Sequence, residues 1–263
     1  MELYQSLCAV TKEENVLKDE PMRKHTTFRI GGPADYFVTP ESKEEIREII
    51  ALCKKENVPY YIVGNGSNLL VGDKGYRGVI LQIFKKMNQI QVEDEKITAQ
   101  AGALLSKVAA AAYEASLTGF EFAAGIPGTL GGAVRMNAGA YGGEMKQVLV
   151  SADVLTTEGE ILTIPVEELG LAYRTSVVEQ KDYVVLGAQI ELKKGDQKEI
   201  RAQMDDLKEK RVSKQPLEYG SAGSTFKRPE GYFAGKLIMD AGMRGFRIGG
   251  AQVSDKHCGF IVN

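Results

Sequence analysis

The amino-acid sequence predicts an α+β protein that is divided into subdomains. Helical and strand-like periodicities both occur along the chain, and several strand-like segments follow one another without a helix between them. The chain has 263 residues, which is enough for one large domain or for two to three small ones. We therefore expect more than one compact unit of mixed helix and strand.

The first clear element is a helix that leads directly into a strand. Ile46, Ile49, Ile50 and Cys53 recur at helical spacing in "KEEIREIIALCKKENVPYYIVGNG". The aromatic and β-branched run at 60–63 predicts a short strand after this helix. The predicted strand ends on a polar segment that is rich in glycine.

The rest of the chain contains further strands and helices. Strands are predicted near 79–83, 89–93, 96–101 and 183–192, a hairpin is predicted to turn at Glu158 and Gly159, and helices are predicted at about Leu104 to Ser116, Glu199 to Val212 and Phe233 to Ala241. Ile200, Met204, Leu207 and Arg211 form the stripe that predicts an amphipathic helix in the second of these segments. The run 260–262 is predicted to be a core strand.

The composition is that of an ordinary globular protein. Hydrophobic residues make up 43% and charged residues 26%, and the formal net charge is −2. The balance of 33 basic and 35 acidic residues argues against a nucleic-acid partner, which would need a clustered basic face. Because no apolar run reaches the roughly 20 residues needed to cross a bilayer, no membrane partner is expected.

The cysteines and the N-terminus predict a cytoplasmic protein. Cys8, Cys53 and Cys258 are scattered and odd in number, which fits a reducing compartment. The N-terminal "MELYQSLCAVTKEEN" lacks the apolar core of a signal peptide. The two histidines, His25 and His257, have no partner at metal-ligand spacing, so we expect no metal site and a solvated or locally bonded role for each.

Two glycine-rich segments are the strongest candidates for ligand binding. The first is "GNGSNL" (64–69) and the second is "GIPGTLGGA" (125–133). A dinucleotide fingerprint would need glycine in place of Leu69, and the second segment lacks the lysine of a P-loop. Unhindered main-chain amides can still neutralise a pyrophosphate without a cationic side chain. A structural turn is the alternative for either segment alone, whereas two of them favour a large phosphate-bearing ligand held between the two.

Two other polar segments are weaker candidates. In "YRTS" (173–176) an isolated arginine would most often be a surface residue that stacks on its neighbour. In "YGSAGSTFKRPEG" (219–231) Ser224 precedes Lys227 and Arg228, which indicates either a flexible loop or a hydroxyl beside an anion-binding pair. No G-x-S-x-G elbow or nearby histidine supports a serine hydrolase.

Six segments of the chain occur in an order that is typical of a known family. They read "TTFRIGGPADYF", "YIVGNGSNLLV", "GIPGTLGGAVRMNAGAYGGE", "AYRTS", "KQP" followed by "GSAGSTFKRPEG", and "AGMRGFRIGGAQVSDKHCGFIVN". The chain resembles the UDP-N-acetylenolpyruvoylglucosamine reductase family from about Lys24 to Asn263. The resemblance implies a flavin-binding fold of the vanillyl-alcohol-oxidase (PCMH) type. It also implies FAD-binding subdomains at 1–80 and 81–198 and a substrate-binding domain at 199–263.

The resemblance further implies the cofactors and the reaction. NADPH would reduce FAD, and the reduced flavin would pass hydride to C3 of the enolpyruvyl ether of a UDP-sugar. Protonation at C2 would then complete UDP-N-acetylmuramate for peptidoglycan synthesis. A site for this reaction must stabilise negative charge and supply a proton. By motif, these roles fall to Arg174 and Ser224, with Lys214 or Lys227 as the neighbour that would stabilise the serine alkoxide.

The same motifs imply the binding residues. For FAD they are Gly64, Asn65, Gly66, Ser67, Asn68, Leu69, Gly125, Ile126, Pro127, Gly128, Thr129, Gly132, Ala133, Asn137 and Gly139. For the UDP diphosphate or the substrate carboxylate, charge and motif position suggest Lys214, Gln215 and Arg228.

The chain also departs from the family pattern. The family continues after "FIVN" with about a helix and a strand that carry a catalytic glutamate, so we expect the sequence to be truncated and the chain to bind FAD yet turn over poorly. The short link between Arg174 and Tyr183 matches the branch that lacks a substrate-covering tyrosine loop.

Two other functions stay open on the sequence alone. An oxidase of the same flavin fold would act on an alcohol or a sugar, although no histidine or cysteine lies near either glycine-rich segment as a covalent flavin anchor. A non-catalytic nucleotide-sugar-binding protein would bind the UDP-sugar without flavin turnover. The sequence predicts no particular oligomeric state.

Overall fold

The computed structural model describes residues 3–263. The strands, in chain order, are β1 (Val16–Pro21), β2 (Pro33–Val38), β3 (Tyr60–Val63), β4 (Tyr76–Gln82), β5 (Ile90–Glu93), β6 (Lys96–Gln100), β7 (Leu117–Thr118), β8 (Gly139–Ala140), β9 (Gly143–Glu144), β10 (Leu149–Leu155), β11 (Ile161–Pro165), β12 (Val184–Glu191), β13 (Lys193–Lys194), β14 (Arg247–Ile248), β15 (Ala251–Val253) and β16 (Ile261–Val262). The α-helices are α1 (Leu3–Val10), α2 (Lys43–Lys55), α3 (Leu105–Glu114), α4 (Leu130–Arg135), α5 (Val177–Gln180), α6 (Gln197–Lys214) and α7 (Ala234–Asp240).

The N-terminal part forms a mixed four-stranded sheet in the order β1-β2-β4-β3. The strands β1 and β2 are antiparallel, whereas β4 is parallel to both of its neighbours. Helix α2 connects β2 to β3, as a parallel crossover requires. Ser42 caps its N-terminus, where the Ser42 hydroxyl accepts a hydrogen bond from the Glu45 N–H. Its apolar stripe, which includes Ile46 and Ile49, is fully buried.

The middle of the chain forms a five-stranded antiparallel sheet in the order β11-β10-β12-β6-β5. Strand β12 is the central strand, and most of its side chains are buried. The helices α3 and α4 lie beside this sheet and add Leu105, Val108, Leu130 and Val134 to the largest apolar cluster. The same cluster includes α2, so both sheets share one core.

A smaller apolar cluster lies against the first sheet and includes Phe37, Val63 and Ile80. Leu69 and Val71 pack against it from the segment that follows β3. The polar segment at the end of β3 is therefore anchored by the buried Val63 on one side and by the partly buried Leu69 and Val71 on the other.

The C-terminal region, residues 215–263, contains α7 and a three-stranded antiparallel sheet in the order β14-β15-β16. Helix α6 connects the five-stranded sheet to it. The subdomain boundaries predicted at 80 and at 198 fall inside β4 and α6, and the division into subdomains stays a prediction. Among residues 3–263, no helix is long and apolar enough to cross a membrane.

The main elements predicted from periodicity are confirmed. The strands β3, β4, β5, β6 and β12 lie where they were expected, β10 and β11 form the hairpin around Gly159, and α2, α3, α6 and α7 match the predicted helices within a few residues. The helices α1, α4 and α5, the strands β1 and β2, and the short strands β7, β8, β9, β13, β14 and β15 were not predicted. Strand β1 has only Val16 buried and exposes Leu17 beside Lys18 and Asp19, and α5 has only four residues, so neither produces a clear period.

A charged cluster fixes the start of β1 to the connection between β2 and α2. The Glu41 carboxylate lies 2.8 Å from Lys12 Nζ and 2.7 Å from Lys86 Nζ. It also accepts a 3.2 Å hydrogen bond from the buried Asn15 amide. Hydrogen bonds from Lys12, Lys86 and Asn15 lower the pKa of Glu41 from 4.5 to about 2.

We expect this carboxylate to make stability depend on acid pH. Because the folded-state pKa of Glu41 is depressed, its contribution is fully present above the unfolded value of 4.5 and is lost as pH falls towards about 2. Urea unfolding of the wild type and of Glu41→Gln should show a constant difference in the free energy of unfolding above pH 4.5 that shrinks below it. Glu93→Gln is the control, because the Glu93 side chain makes no hydrogen bond or ion pair within the part of the chain that is described. A difference that does not change with pH would contradict the prediction.

Candidate functional site

The first glycine loop, Gly64–Leu69, begins where β3 ends. Gly66 has a φ of +63°, in the left-handed region that favours glycine. A Cβ atom on Gly66 would collide with the backbone carbonyl of His25. Both the conformation and the close approach therefore require glycine at this position.

The second glycine loop, Gly125–Ala133, is fixed to the start of α3 and the end of β6. The Leu130 N–H donates to the Ala103 carbonyl and the Gly131 N–H donates to the Ala101 carbonyl, both at 2.8 Å. The Gly128 carbonyl accepts a 3.1 Å hydrogen bond from the Leu105 N–H. These three hydrogen bonds hold the loop through the Gly128 carbonyl and the N–H groups of Leu130 and Gly131. The Ile126 N–H is also paired, with the Ala123 carbonyl, whereas the N–H groups of Gly128 and Thr129 stay available.

The two glycine loops contact each other. The Asn65 side-chain amide donates a 2.8 Å hydrogen bond to the Pro127 carbonyl. A Cβ atom on Gly64 would collide with the hydroxyl of Thr129, which is buried. The structure thus brings together the two segments that the sequence singled out, although the FAD contact predicted for each residue stays a prediction.

The contact between the loops leaves main-chain donors without partners. Within residues 3–263, the N–H groups of Gly66, Ser67, Asn68, Gly128 and Thr129 make no hydrogen bond. A Cβ atom on Gly128 would meet only Ile126 and the Ser67 hydroxyl, both at 3.9 Å. Open space beside unpaired N–H groups fits an anionic group such as a pyrophosphate.

Not every predicted FAD contact has a side chain that faces this space. Leu69 packs into the smaller apolar cluster and Ile126 packs against the larger one. Asn137 is only 1% exposed, and its amide donates to the Glu144 carboxylate and the Ala172 carbonyl. Its side-chain oxygen accepts a 3.0 Å hydrogen bond from the Lys146 N–H. The side chain of Asn137 is thus committed to shaping its own loop.

Arg174 is positioned by the segment that contains Asn137. Its φ is +56°, and its guanidinium donates to the Asn137 carbonyl at 3.3 Å and to the Gly139 carbonyl at 3.0 Å. The guanidinium also lies 5.3 Å from the ring centroid of Tyr173, so the stacking that was the alternative reading does occur. Because guanidinium has five N–H donors, these two hydrogen bonds leave others for a ligand.

Ser224 lies in an exposed segment of the C-terminal region. Its hydroxyl donates a long, 3.4 Å hydrogen bond to the Phe226 carbonyl. The next residue fixes the backbone, since the Thr225 N–H donates to the Gly259 carbonyl at 2.8 Å. The Arg228 N–H donates a 3.0 Å hydrogen bond to the Tyr173 hydroxyl, which joins the Ser224 segment to the neighbour of Arg174.

The other predicted substrate residues are Lys214, Gln215 and Arg228, and the structure does not place all three beside Ser224. Lys214 and Gln215 lie at the C-terminal end of α6, where the Gln215 N–H donates to the Arg211 carbonyl. Within the described chain, Lys214 makes no hydrogen bond or ion pair to the Ser224 segment. Arg228 is fixed by stacking on Phe233 at 3.9 Å.

Arg211 is a residue of this site that sequence reasoning missed. A Cβ atom on Gly125 would lie 2.8 Å from Arg211 Nε, so the guanidinium packs directly against the second glycine loop. Burial lowers the pKa of Arg211, and a hydrogen bond to the Tyr141 hydroxyl opposes this shift. No carboxylate within residues 3–263 forms an ion pair with Arg211. The only signal in the sequence was that Arg211 is a cation on a stripe of α6 that is otherwise apolar. The structure shows that this stripe is not a core face, because within α6 only Ile200 is buried.

The histidines are locally bonded, as expected. His25 Nε2 lies 2.9 Å from the Glu20 carboxylate, and the ring stacks on Phe37. His257 Nδ1 accepts a 3.1 Å hydrogen bond from the Gly259 N–H.

Comparison with known sequences supports a flavin site in this fold. Residues 34–165 match the family described as FAD binding domain. Residues 215–263 match the C-terminal domain of UDP-N-acetylenolpyruvoylglucosamine reductase. Two curated relatives carry the name UDP-N-acetylenolpyruvoylglucosamine reductase. The relative from Agathobacter rectalis is 57% identical over 94% of this chain and 82% of its own length. The relative from Clostridioides difficile is 50% identical over 100% of this chain and 86% of its own length.

Solved structures show the same fold. A crystal structure of UDP-N-acetylenolpyruvylglucosamine reductase from Thermus caldophilus is 36% identical, with a TM-score of 0.81 over 94% of this chain and 87% of that chain. p-Cresol methylhydroxylase, which is 17% identical, has a TM-score of 0.55 over 74% of this chain and 43% of that chain, and it shows a likeness of fold alone.

The fold and the paired glycine loops define an FAD-dependent oxidoreductase, and the predicted vanillyl-alcohol-oxidase (PCMH) type of fold is confirmed. Similarity at this level extends through both the FAD-binding part and the C-terminal region. The chain belongs to the UDP-N-acetylenolpyruvoylglucosamine reductase family.

Proposed function

We propose that this chain reduces UDP-N-acetylglucosamine enolpyruvate to UDP-N-acetylmuramate, with FAD as the cofactor and NADPH as the reductant, in the synthesis of peptidoglycan precursors. Its family membership supports the reaction. The observation in the structure that carries the proposal is the contact between two glycine loops that leaves their amides unpaired. Bound FAD would accept hydride from NADPH and deliver it to C3 of the enolpyruvyl group.

The two glycine loops would hold the diphosphate of FAD. The N–H groups of Gly66, Ser67 and Asn68 are unpaired in one loop and those of Gly128 and Thr129 in the other, so they would be the donors to this diphosphate. The Arg211 guanidinium adds a positive charge beside the second loop. A half-buried cation without a carboxylate partner is partly desolvated, and a bound anion would offset that cost.

Arg174 would stabilise the negative charge that develops on the substrate. Hydride addition at C3 leaves an electron pair that delocalises from C2 onto the carboxylate. The two carbonyls that accept from Arg174 hold its guanidinium before the substrate arrives, so little reorganisation is needed. Its remaining donors would bind the carboxylate as charge accumulates there.

Ser224 would supply the proton to C2. Its present hydrogen bond to the Phe226 carbonyl is long, so the hydroxyl is easily redirected. Loss of the proton leaves an alkoxide, which Lys227 in the same segment would stabilise. The hydride and this proton together saturate the C2–C3 double bond, and NADPH is oxidised to NADP⁺.

Arg228, Gln215 and Lys214 are proposed to contact the UDP diphosphate. Arg228 is the best placed of these, because Phe233 and the Tyr232 carbonyl orient its guanidinium. A cytoplasmic location is part of the same proposal, and three free cysteines support it.

The absorption spectrum of the protein loaded with FAD tests the proposal. We expect a yellow protein that NADPH bleaches in the absence of oxygen, and we expect the enolpyruvyl nucleotide to restore the colour. A protein that does not take up FAD, or a reduced flavin that the nucleotide does not reoxidise, would refute the proposed function. Reduction by an alcohol or a sugar but not by NADPH would instead indicate an oxidase.

We expect Arg211→Met to weaken FAD binding roughly 10–100-fold, since a hydrogen bond to a charged group contributes about 1.5–3 kcal/mol. The dependence of FAD affinity on salt should also decrease, because a charge beside the cofactor is lost. Fluorescence titrations of FAD at low and at high salt measure both effects.

Arg201→Met is the matched control, because Arg201 lies on the same helix and pairs with Asp205 in solvent. Equal FAD affinities for the wild type and for Arg211→Met would exclude Arg211 from the cofactor site.

A further inference from the structure

Residues 25–30, called the strap, lie between the first glycine loop and the C-terminal region. The Thr27 N–H donates a 3.1 Å hydrogen bond to the Gly66 carbonyl. Since a Cβ atom on Gly66 would collide with the His25 carbonyl, the two backbones touch. A shift of the first glycine loop therefore moves the strap.

The same residue of the strap holds the C-terminal region. The Thr27 hydroxyl donates a 2.7 Å hydrogen bond to the Ser221 carbonyl, and the Ser221 N–H donates to the Thr27 carbonyl at 3.1 Å. The Asn263 side-chain amide donates to the Phe28 carbonyl at 3.2 Å. Ser221 precedes Ser224 by three residues, and its hydroxyl accepts a 3.4 Å hydrogen bond from the Gly223 N–H between them.

The strap itself is stiffened by local contacts. The Thr26 hydroxyl donates to the Ile30 carbonyl at 2.9 Å, and the Arg29 N–H donates to the Thr26 carbonyl at 3.1 Å. At the other end, the His25 ring pairs with Glu20 and stacks on Phe37. A stiff strap transmits a displacement from one side to the other.

We propose that Thr27 is a positioning residue that sets the place of Ser224 relative to the bound flavin. This inference rests on the proposed function, because it takes Ser224 as the proton donor. A hydrogen-bonded path runs from Gly66 through Thr27 and Ser221 to Gly223, next to Ser224. Two hydrogen bonds join Thr27 to Ser221, and the shorter one, from the Thr27 hydroxyl, is the one that a substitution can remove. FAD bound at the first glycine loop thereby orders the Ser224 segment. Proton transfer to C2 depends on this order, since a displacement of about 1 Å costs a reaction roughly 100-fold in rate.

The test compares the two half-reactions in Thr27→Val, Thr27→Ser and a control, each loaded with FAD. Thr163→Val is the matched control, because the Thr163 hydroxyl also donates a 2.7 Å hydrogen bond, but to Asp153 on the five-stranded sheet. In stopped-flow absorbance, Thr27→Val should be reduced by NADPH at the wild-type rate. Its reoxidation by the enolpyruvyl nucleotide should be slowed roughly 10–100-fold. Thr27→Ser keeps the hydroxyl and should restore reoxidation, and Thr163→Val should match the wild type.

Hydrogen–deuterium exchange gives a readout that does not depend on turnover. In the wild type, FAD should slow exchange both at 64–69 and at 221–225. In Thr27→Val, FAD should slow exchange at 64–69 alone, with an unchanged FAD affinity. If Thr27→Val does not fold, Thr27→Ala removes the hydroxyl without adding a methyl group and is measured in the same way.

Different failures are distinguishable. A wild type that does not bind FAD or does not reoxidise would refute the proposed function. A normal wild type with an equally fast Thr27→Val would refute only the role of Thr27. Equal slowing of both half-reactions, or loss of FAD binding in the variants, would show that Thr27 supports the fold rather than the position of Ser224.

Discussion

Replacing Ser224 with alanine is expected to leave the reduction of the flavin by NADPH unchanged and to slow the reoxidation by the enolpyruvyl nucleotide roughly 10²–10⁴-fold, the usual contribution of a positioned acid. The hydroxyl lies in an exposed segment and its hydrogen bond to the Phe226 carbonyl is weak, so its removal should not alter the fold. The substitution would remove only the proton donor for C2 of the substrate.

Anaerobic stopped-flow measurements separate the two half-reactions. Ser213→Ala is the control, because the Ser213 hydroxyl also donates to a carbonyl at the exposed end of α6. If Ser224→Ala slowed both half-reactions to the same extent, Ser224 would not be the proton donor.

Replacing Gly128 with alanine is expected to weaken FAD binding roughly 10–100-fold, since filling a packed site costs about 1–3 kcal/mol. The added methyl group would enter the space between the two glycine loops, where Ile126 and Ser67 lie at 3.9 Å. It meets no clash in the protein itself, so the melting temperature without FAD should not fall. Only the affinity for FAD would decrease.

A fluorescence titration with FAD measures the affinity, and a thermal melt of the apoprotein verifies the fold. Gly72→Ala is the matched control, because a Cβ atom on Gly72 would have no neighbour within 4 Å and its φ is not in the left-handed region. An unchanged affinity in Gly128→Ala would show that the space between the loops does not receive the cofactor.

The sequence predicted the parts of this site better than their assembly. Helix α2 and strand β3 follow from local periodicity, because their spacing and their buried faces agree. Both glycine loops could also be identified locally, because a segment rich in glycine has main-chain amides that no side chain shields. That Gly64 faces Thr129 and that Asn65 bonds to Pro127 depends on how the two sheets meet, and no local pattern encodes that.

The residues that the sequence missed act through tertiary contacts. Arg211 was assigned to the apolar stripe of α6, but the helix buries little and turns this cation towards Gly125. Thr27 belongs to a segment that shows no period, and its importance follows from contacts with Gly66 and Ser221, which are far apart in the chain. Such contacts become visible only when the folded chain is known.

The pairing of the five-stranded sheet has a consequence for protein synthesis. Strand β6 finds one neighbour, β5, immediately, but its other neighbour is β12, in which Ala188 lies opposite Ala99. At a ribosomal rate of about 5–20 residues per second, the β6 edge of the hairpin of β5 and β6 stays unpaired for roughly 5–18 s until β12 has been made. An open edge invites pairing with other chains. Nascent chains that stop before Val184 should thus aggregate or recruit chaperones more than chains that extend past Glu191, in which β12 can cover the edge of β6.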